Sequence, residues 1–175
     1  MAKRIAVLLG ALLTALAVFV GTSSTAGAAT HTLSGLSTPI TGTFTDATGG
    51  TGTFSGTYTI TKFTTQNGAL AATGALTGTL TDSRGNVIGT VTQTVTMPVQ
   101  ASGTCQILHL TLGPIDLNLL GLRVHLNQVV LDITAQSGPG NLLGNLLCGI
   151  ANLLNGSGTA GSIATLLNRL LALFG

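Results

Sequence analysis

Histidine, aspartate and cysteine are the residues of this sequence that could carry out chemistry, and there are few of them. The chain of 175 residues contains three His and two Cys, and its four acidic residues are all Asp. An enzyme needs a nucleophile, a base or a metal held in a defined cluster. The sequence lacks the G-x-S-x-G, H-E-x-x-H and C-x-x-C motifs and has no phosphate-binding glycine loop. We therefore expect a protein that is not an enzyme and that needs no cofactor or metal.

Three polar residues in the second half of the chain are candidates for a structural or binding role. His109 and His125 lie on the polar phase of two predicted strands that we expect to be neighbours, and Asp132 follows on the later strand. They could form a metal site, but histidines on the surface of a sheet are the preferred interpretation. Asp116 lies in a Leu-rich strand, where its carboxylate could accept backbone hydrogen bonds and fix the turn at Gly113-Pro114. We prefer that structural role over a binding role.

Residues 1–29 have the layout of a secretory signal peptide. A basic start, Lys3-Arg4, precedes an apolar run at 5–20, and small residues follow. Cleavage near Ala28 or Ala29 fits the small side chains there, and the run is shorter than the roughly 20 residues of a spanning helix. We therefore expect a secreted protein with no membrane-spanning segment after cleavage, and retention at the cell wall stays open.

Both cysteines, Cys105 and Cys148, lie after the predicted signal peptide. An even number of cysteines in an exported chain predicts one disulfide bond. In the chain-entropy model, closing the loop between these two cysteines adds up to about 4 kcal/mol to the free energy of unfolding.

The predicted mature chain carries no net charge. Of the six basic residues, two lie in the signal peptide, and the remaining four balance the four aspartates. The eight charged residues are Lys62, Arg84, Arg123, Arg169, Asp46, Asp82, Asp116 and Asp132. This balance gives no electrostatic reason to expect binding to nucleic acid.

Strict alternation of side chains predicts strands before Cys105. Residues 52–60 alternate with period two, and Phe63 breaks the phase, which indicates a bulge near Thr61-Lys62. Asn67-Gly68 predicts a tight hairpin turn. Two further alternating segments on either side of a polar turn complete an antiparallel meander.

Shorter alternating segments after Cys105 predict two or three more strands, with a bulge at the phase slip at Asn127-Gln128. From residue 141 the apolar spacing becomes helical. We predict one mainly β (α+β) domain at 30–175. Its β part, 30–137, is an antiparallel β-barrel or sandwich of about six to nine strands, and two amphipathic helices form a hairpin at 141–174.

The two predicted helices carry apolar stripes. The stripes consist of Leu142, Leu143, Leu146, Leu147, Ile150, Ile163, Leu166, Leu167, Leu170, Leu171 and Phe174. On a helical wheel Cys148 lies almost opposite the first stripe. If a disulfide ties that side to the β part, the stripe cannot lie on the same sheet and must be covered by the second helix, held over the barrel mouth or left for a partner. We expect the two helices to form a mobile apolar flap over the β part, where a partner or ligand enters, with the second helix free to swing.

Three segments of the second half carry a resemblance to a known family. They are Cys105 to Leu108 (CQIL), Leu112 to Leu122 (LGPIDLNLLGL) and Gly138 to Cys148 (GPGNLLGNLLC). Together with a similar Thr/Gly segment at 52–80, they cover most of the predicted mature chain. The chain resembles a family of small secreted proteins of high-GC Gram-positive (actinobacterial) bacteria that have no assigned function. The resemblance implies an exported, β-rich, disulfide-bonded protein and supplies no site residue.

Two functions fit these patterns. The first is a binding module at the cell envelope or outside the cell, whose Leu-rich strands and helices enclose or present an apolar surface to a lipid-like ligand or a protein partner. The second is a structural or surface-coat role for the nearly uncharged, Thr-rich strands. Such a face could bind a flat polar surface such as glycan or ice, but Thr is also simply a favourable exposed strand residue. We therefore prefer the first function.

Overall fold

Eight antiparallel strands and two helices make up the computed structural model, which describes residues 36–174. The strands are β1 (Ser37–Thr45), β2 (Thr51–Gln66), β3 (Ala69–Thr81), β4 (Val87–Gly103), β5 (Ile107–Leu112), β6 (Ile115–Leu119), β7 (Leu122–Leu126) and β8 (Val129–Thr134). The helices are α1 (Leu142–Asn155) and α2 (Ala160–Leu171). The predicted mainly β fold with two C-terminal helices is confirmed. The predicted signal peptide and its cleavage site lie outside the described residues.

The first four strands form a meander of successive antiparallel hairpins. The predicted bulge is confirmed, because the register between β2 and β3 shifts between Ile60 and Lys62. The predicted turn at Asn67-Gly68 is confirmed as well. Both residues have positive φ angles, 52° and 78°, as a type I′ hairpin turn requires.

The last four strands form one long hairpin that is bent in the middle. In one half β5 pairs with β8, and Leu112 lies opposite Val129. In the other half β6 pairs with β7, and Ile115 lies opposite Leu126. This pair is three residues along each strand from Leu112 and Val129, so the two halves share one register. The phase slip at Asn127-Gln128 is therefore part of a bend between two ladders of one hairpin, rather than a bulge in a single strand. We call strands β5 to β8 the bent hairpin.

The bend allows this hairpin to join both ends of the meander. β5 pairs with β4 and β7 pairs with β1, so the strand order is β6-β7-β1-β2-β3-β4-β5-β8. At the bend the Gly113-Pro114 peptide is cis, and the Gly113 N–H donates to the Pro98 carbonyl at 3.0 Å. Among residues 36–174 the edge strands β6 and β8 do not pair with each other. The sheet is therefore not closed into a barrel, which was one of the two predicted architectures.

Large side chains from the inner face of the sheet fill the core. Those that are almost completely buried are Tyr58, Phe54, Phe63, Ile40, Ile60, Leu76, Leu80, Met97, Leu108, Leu110, Leu112 and Leu119. The Tyr58 hydroxyl lies 2.8 Å from the Ala72 carbonyl and 3.0 Å from the Val95 carbonyl. Burial raises the pKa of Tyr58 well above its ordinary value, so the hydroxyl stays protonated as a donor.

The two helices lie on the sheet and on each other. α2 packs on β2 and β3, and α1 packs on β4, β5 and α2. The Asn168 side chain of α2 accepts from the Phe63 N–H at 2.7 Å and donates to the Phe63 carbonyl at 2.8 Å. The pairing of β1 with β2 ends at Ser37 opposite Thr59, so Asn168 satisfies backbone groups of β2 that β1 does not reach. These contacts argue against the predicted mobile flap.

The predicted disulfide between Cys105 and Cys148 is confirmed, and it joins the loop after β4 to α1. The buried residues of α1 are Gly144, Leu147, Ile150 and Ala151. At about 100° per residue, Cys148 lies beside this buried face and not opposite it, because Gly144 and Ala151 extend the face toward the cysteine. The expectation that the apolar stripe cannot lie on the sheet is therefore wrong, and the sheet and α2 cover it together.

Most of the predicted apolar surface is interior. The buried members of the two stripes are Leu147, Ile150, Ile163, Leu167, Leu170 and Leu171, and the half-buried members are Leu143, Leu146 and Leu166. Leu142 and Phe174 are 59% and 40% exposed. Phe174 lies beyond the end of α2 rather than within it.

Candidate functional site

The bent hairpin separates the two candidate histidines. His109 lies on β5, between β4 and β8, whereas His125 lies on β7, between β1 and β6. The expectation that the two strands are neighbours is therefore wrong. Within residues 36–174, no group of three or more His, Cys, Asp or Glu side chains is placed to hold a metal ion.

Each histidine instead pairs with one aspartate directly across the hairpin. His109 Nδ1 lies 2.5 Å from Asp132 Oδ1, and His125 Nδ1 lies 2.9 Å from Asp116 Oδ1. Both pairs are about half exposed on the outer face of the sheet. Because each carboxylate engages Nδ1, it fixes the ring orientation and leaves Nε2 as the ring nitrogen available to a ligand.

The Asp116 carboxylate does not hold the Gly113-Pro114 turn as expected. Its hydrogen bond goes to the ring of His125, and its other oxygen, Oδ2, lies 3.9 Å from Arg123 Nη2. The turn is held instead by the bond from Gly113 N–H to Pro98. Asp116 is therefore part of a charged cluster on the outer face, not a turn anchor.

The strand register extends this cluster into a row of polar side chains. Thr53 of β2 lies opposite Thr43 of β1, Thr43 lies opposite His125 of β7, and His125 lies opposite Asp116 of β6. Side chains in such a row are direct neighbours, about 5 Å apart at Cβ. We call Thr43, Thr45, Asp116, Arg123 and His125 the Asp116 site. Together with Phe44 and Thr51, they line an open depression with a volume of about 310 Å³.

The second pair lies in a row of its own. Ser102 of β4 lies opposite His109, which lies opposite Asp132. Within residues 36–174 the Ser102 hydroxyl makes no hydrogen bond to the His109 ring, whose partner is Asp132. The order of serine, histidine and aspartate resembles a catalytic triad, but the contact between nucleophile and base that such a site needs is not made.

The outer face of β1 to β4 is covered by hydroxyl groups that align from strand to strand. One row across the four strands consists of Thr41, Ser55, Thr79 and Thr90. The next row begins at Pro39 of β1 and continues with Thr57, Thr77 and Thr92. Neighbouring strands are about 4.8 Å apart, and successive outward residues about 6.8 Å apart. We call this surface the threonine face; its members are Thr41, Thr43, Thr53, Ser55, Thr57, Thr77, Thr79, Thr90, Thr92 and Thr94. Lys62 is the only charged residue within these four strands.

Asp46 is a buried polar residue that the sequence patterns did not single out. Its Oδ1 accepts from the Thr48 N–H, the Thr48 hydroxyl and the Gly50 N–H at 2.7–2.9 Å, and its Oδ2 accepts from the N–H and the hydroxyl of Ser83. These bonds, those from Ser83 first, hold the pKa of Asp46 well below its usual range. Asp46 thus ties the β1–β2 turn to the β3–β4 turn, where Asp82 binds the N–H groups of two further turn residues. An Asp at the start of a turn predicts the local bonds, but nothing in the sequence indicates the bond to Ser83.

No helix within residues 36–174 is long and apolar enough to cross a membrane. Comparison of the chain with protein-family models, with curated proteins and with solved structures finds no match.

Proposed function

We propose that this protein is an exported binding module and that its threonine face binds an extended, uncharged polymer rich in hydroxyl groups. The observation that carries this proposal is the alignment of hydroxyls in register across four strands in which Lys62 is the only charged residue. Each threonine can donate one hydrogen bond and accept others. A repeating glycan presents the same kind of group at regular intervals, so many weak contacts can form together.

The filled interior favours a surface over an enclosed pocket. Tyr58, Leu76 and Met97 are completely buried at the centre of the sheet, and the helices cover its remaining apolar side. Interiors packed in this way leave no room for a ligand without large rearrangement. A lipid-like ligand inside the β part therefore has less support than a polar ligand outside it.

A sedimentation assay tests the proposal. Purified protein is mixed with insoluble peptidoglycan, cellulose or chitin, and the bound fraction is measured against salt. We expect one of these polymers to retain the protein with little dependence on salt, because Coulomb attraction contributes little to the contact. Substitution of Thr57, Thr77 and Thr92 by Val removes three hydroxyls and keeps a β-branched side chain, and we expect it to weaken retention.

The matched control carries Thr111→Val and Thr134→Val, which remove hydroxyls from the bent hairpin outside the threonine face. We expect this control to bind as the unmodified protein does. Failure of all three polymers to retain the protein, or equal retention of the triple variant, contradicts the proposal.

An apolar partner is the second candidate, and three exposed residues near the ends of the helical hairpin favour it. Leu142, Leu173 and Phe174 are 59%, 44% and 40% exposed. Each of these side chains leaves apolar surface in contact with water that a partner could cover. Solvent extraction and mass spectrometry of the same purified protein distinguish this candidate, because a lipid that co-purifies in stoichiometric amount supports it over the threonine face.

A further inference from the structure

We propose that the Asp116 site binds the vicinal hydroxyls of a single neutral sugar residue at the β6 end of the threonine face. This inference rests on the proposed function, which it extends from a polymer surface to a specific subsite. The depression of about 310 Å³ is at the small end of the range for ligand pockets, about 300–1,000 Å³. A site of this size suits one sugar ring rather than a long chain segment.

The strand register places the site at the end of the hydroxyl rows. Thr43 and Thr45 belong to β1, a strand of the threonine face, while Asp116, Arg123 and His125 belong to the β6–β7 half of the bent hairpin. β7 pairs with β1 at only three positions, from Gly42 opposite Leu126 to Phe44 opposite Val124. The short ladder joins the uncharged rows directly to the charged cluster. A polymer on the face therefore reaches the site without leaving the sheet surface.

The balance of charge in the site favours a neutral ligand. The Asp116 carboxylate and the Arg123 guanidinium carry opposite charges, so the two formal charges of this pair cancel. An anion would meet the carboxylate and a cation would meet the guanidinium, each at the cost of repulsion. A hydroxyl group meets neither penalty, because it donates to the carboxylate and accepts from the guanidinium at the same time.

The separation of the two charged groups leaves room for such a hydroxyl. Asp116 Oδ2 and Arg123 Nη2 are 3.9 Å apart, which is too far for a direct hydrogen bond. An oxygen atom beside them can lie about 2.8 Å from both, the usual length of a charge-assisted bond. The bond from His125 to Asp116 Oδ1 holds the carboxylate in place. The neighbouring hydroxyl of a vicinal diol then meets the next side chain of the row, His125 or Thr43.

Titration with soluble sugars followed by two-dimensional NMR tests this inference. The probes are the methyl glycosides of glucose, mannose and galactose and the matching 2-deoxy sugars, which lack one hydroxyl of a vicinal pair. We expect one glycoside to shift the signals of His125, Arg123 and Thr43, and its deoxy form to bind more weakly. Asp116→Asn and Arg123→Gln should each weaken binding roughly tenfold or more, as expected for a lost hydrogen bond to a charged group.

The other cross-strand pair provides a matched control. His109→Gln and Asp132→Asn alter a pair with the same register and exposure, but they leave the Asp116 site intact. We expect these variants to bind the sugar normally. Three results would each overturn the inference: signal shifts on the β5–β8 half, equal sugar binding by Asp116→Asn, or tighter binding of phosphate or Ca²⁺ than of any glycoside. If a polymer retains the protein but no glycoside shifts its NMR signals, only the proposed subsite is overturned. If no polymer retains the protein, the proposed function is overturned.

Discussion

Asn168 provides a quantitative test of how α2 is attached to the sheet. Its amide pairs with both backbone polar groups of Phe63, a residue that is only 2% exposed. In Asn168→Ala both groups lose their partner, and each unsatisfied group costs about 1–3 kcal/mol. The better helix propensity of Ala offsets about 0.6 kcal/mol of this loss in the free energy of unfolding. If water reaches one of the two groups, one cost of about 1–3 kcal/mol remains, and we expect the free energy of unfolding to fall by about 0.4–2.4 kcal/mol.

Urea denaturation of the oxidised protein, followed by circular dichroism, measures this change. Asn152→Ala is the matched control, because Asn152 is an exposed asparagine on α1 and reports helix propensity alone. We expect Asn152→Ala to be neutral or slightly stabilising. The reasoning is refuted if Asn168→Ala lies within about 0.5 kcal/mol of this control, because the amide would then add nothing to the docking of α2.

Two further predictions concern the turns. The pKa of Asp46 is lowered in the folded protein from an unfolded value of about 3.9. Its contribution to stability is therefore present above that pH and is lost as the pH falls toward the folded pKa. In Asp46→Asn the free energy of unfolding measured in urea should drop less steeply below about pH 5 than in the unmodified protein, and parallel pH curves would contradict this. Leu120 has a φ of 53° and is 65% exposed. Because Asn tolerates a left-handed backbone better than Leu, Leu120→Asn should stabilise the β6–β7 turn by about 0.5–1 kcal/mol. A lower denaturation midpoint in this variant would disprove the prediction.

The parts of the fold that depend on neighbouring residues could be predicted from the sequence. The bulge near Lys62 and the turn at Asn67-Gly68 follow from local alternation and turn chemistry, and they are confirmed. Alternation alone does not define β1, because only Ile40 and Phe44 of its inward positions carry large apolar side chains, whereas Thr38 and Gly42 interrupt the pattern. Two large apolar side chains four residues apart are too few to establish a period of two.

The partners of the candidate residues could not be predicted, because they depend on which strands lie side by side. Alternation places His109 and His125 on exposed faces, and this is what the structure has. It does not reveal that a bend at residue 113 sends the two halves of the hairpin to opposite ends of the sheet. The pairing of Asp116 with His125 follows from the register of the β6–β7 hairpin, whose turn at Leu120-Gly121 places Leu119 opposite Leu122. Similarly, the orientation of α1 depends on small residues, Gly144 and Ala151, which do not contribute to an apolar stripe.

The open edges of the sheet have a consequence for aggregation. An exposed edge strand can pair with the edge of another molecule and begin a fibril, and a nearly uncharged surface does little to keep molecules apart. Each edge strand here contains a single charged residue, Asp116 in β6 and Asp132 in β8. When two like edges meet in antiparallel fashion in a register that places these residues opposite each other, two carboxylates come together, and their repulsion opposes that pairing. The same aspartates that orient the two histidines therefore disfavour one way in which two edges could pair.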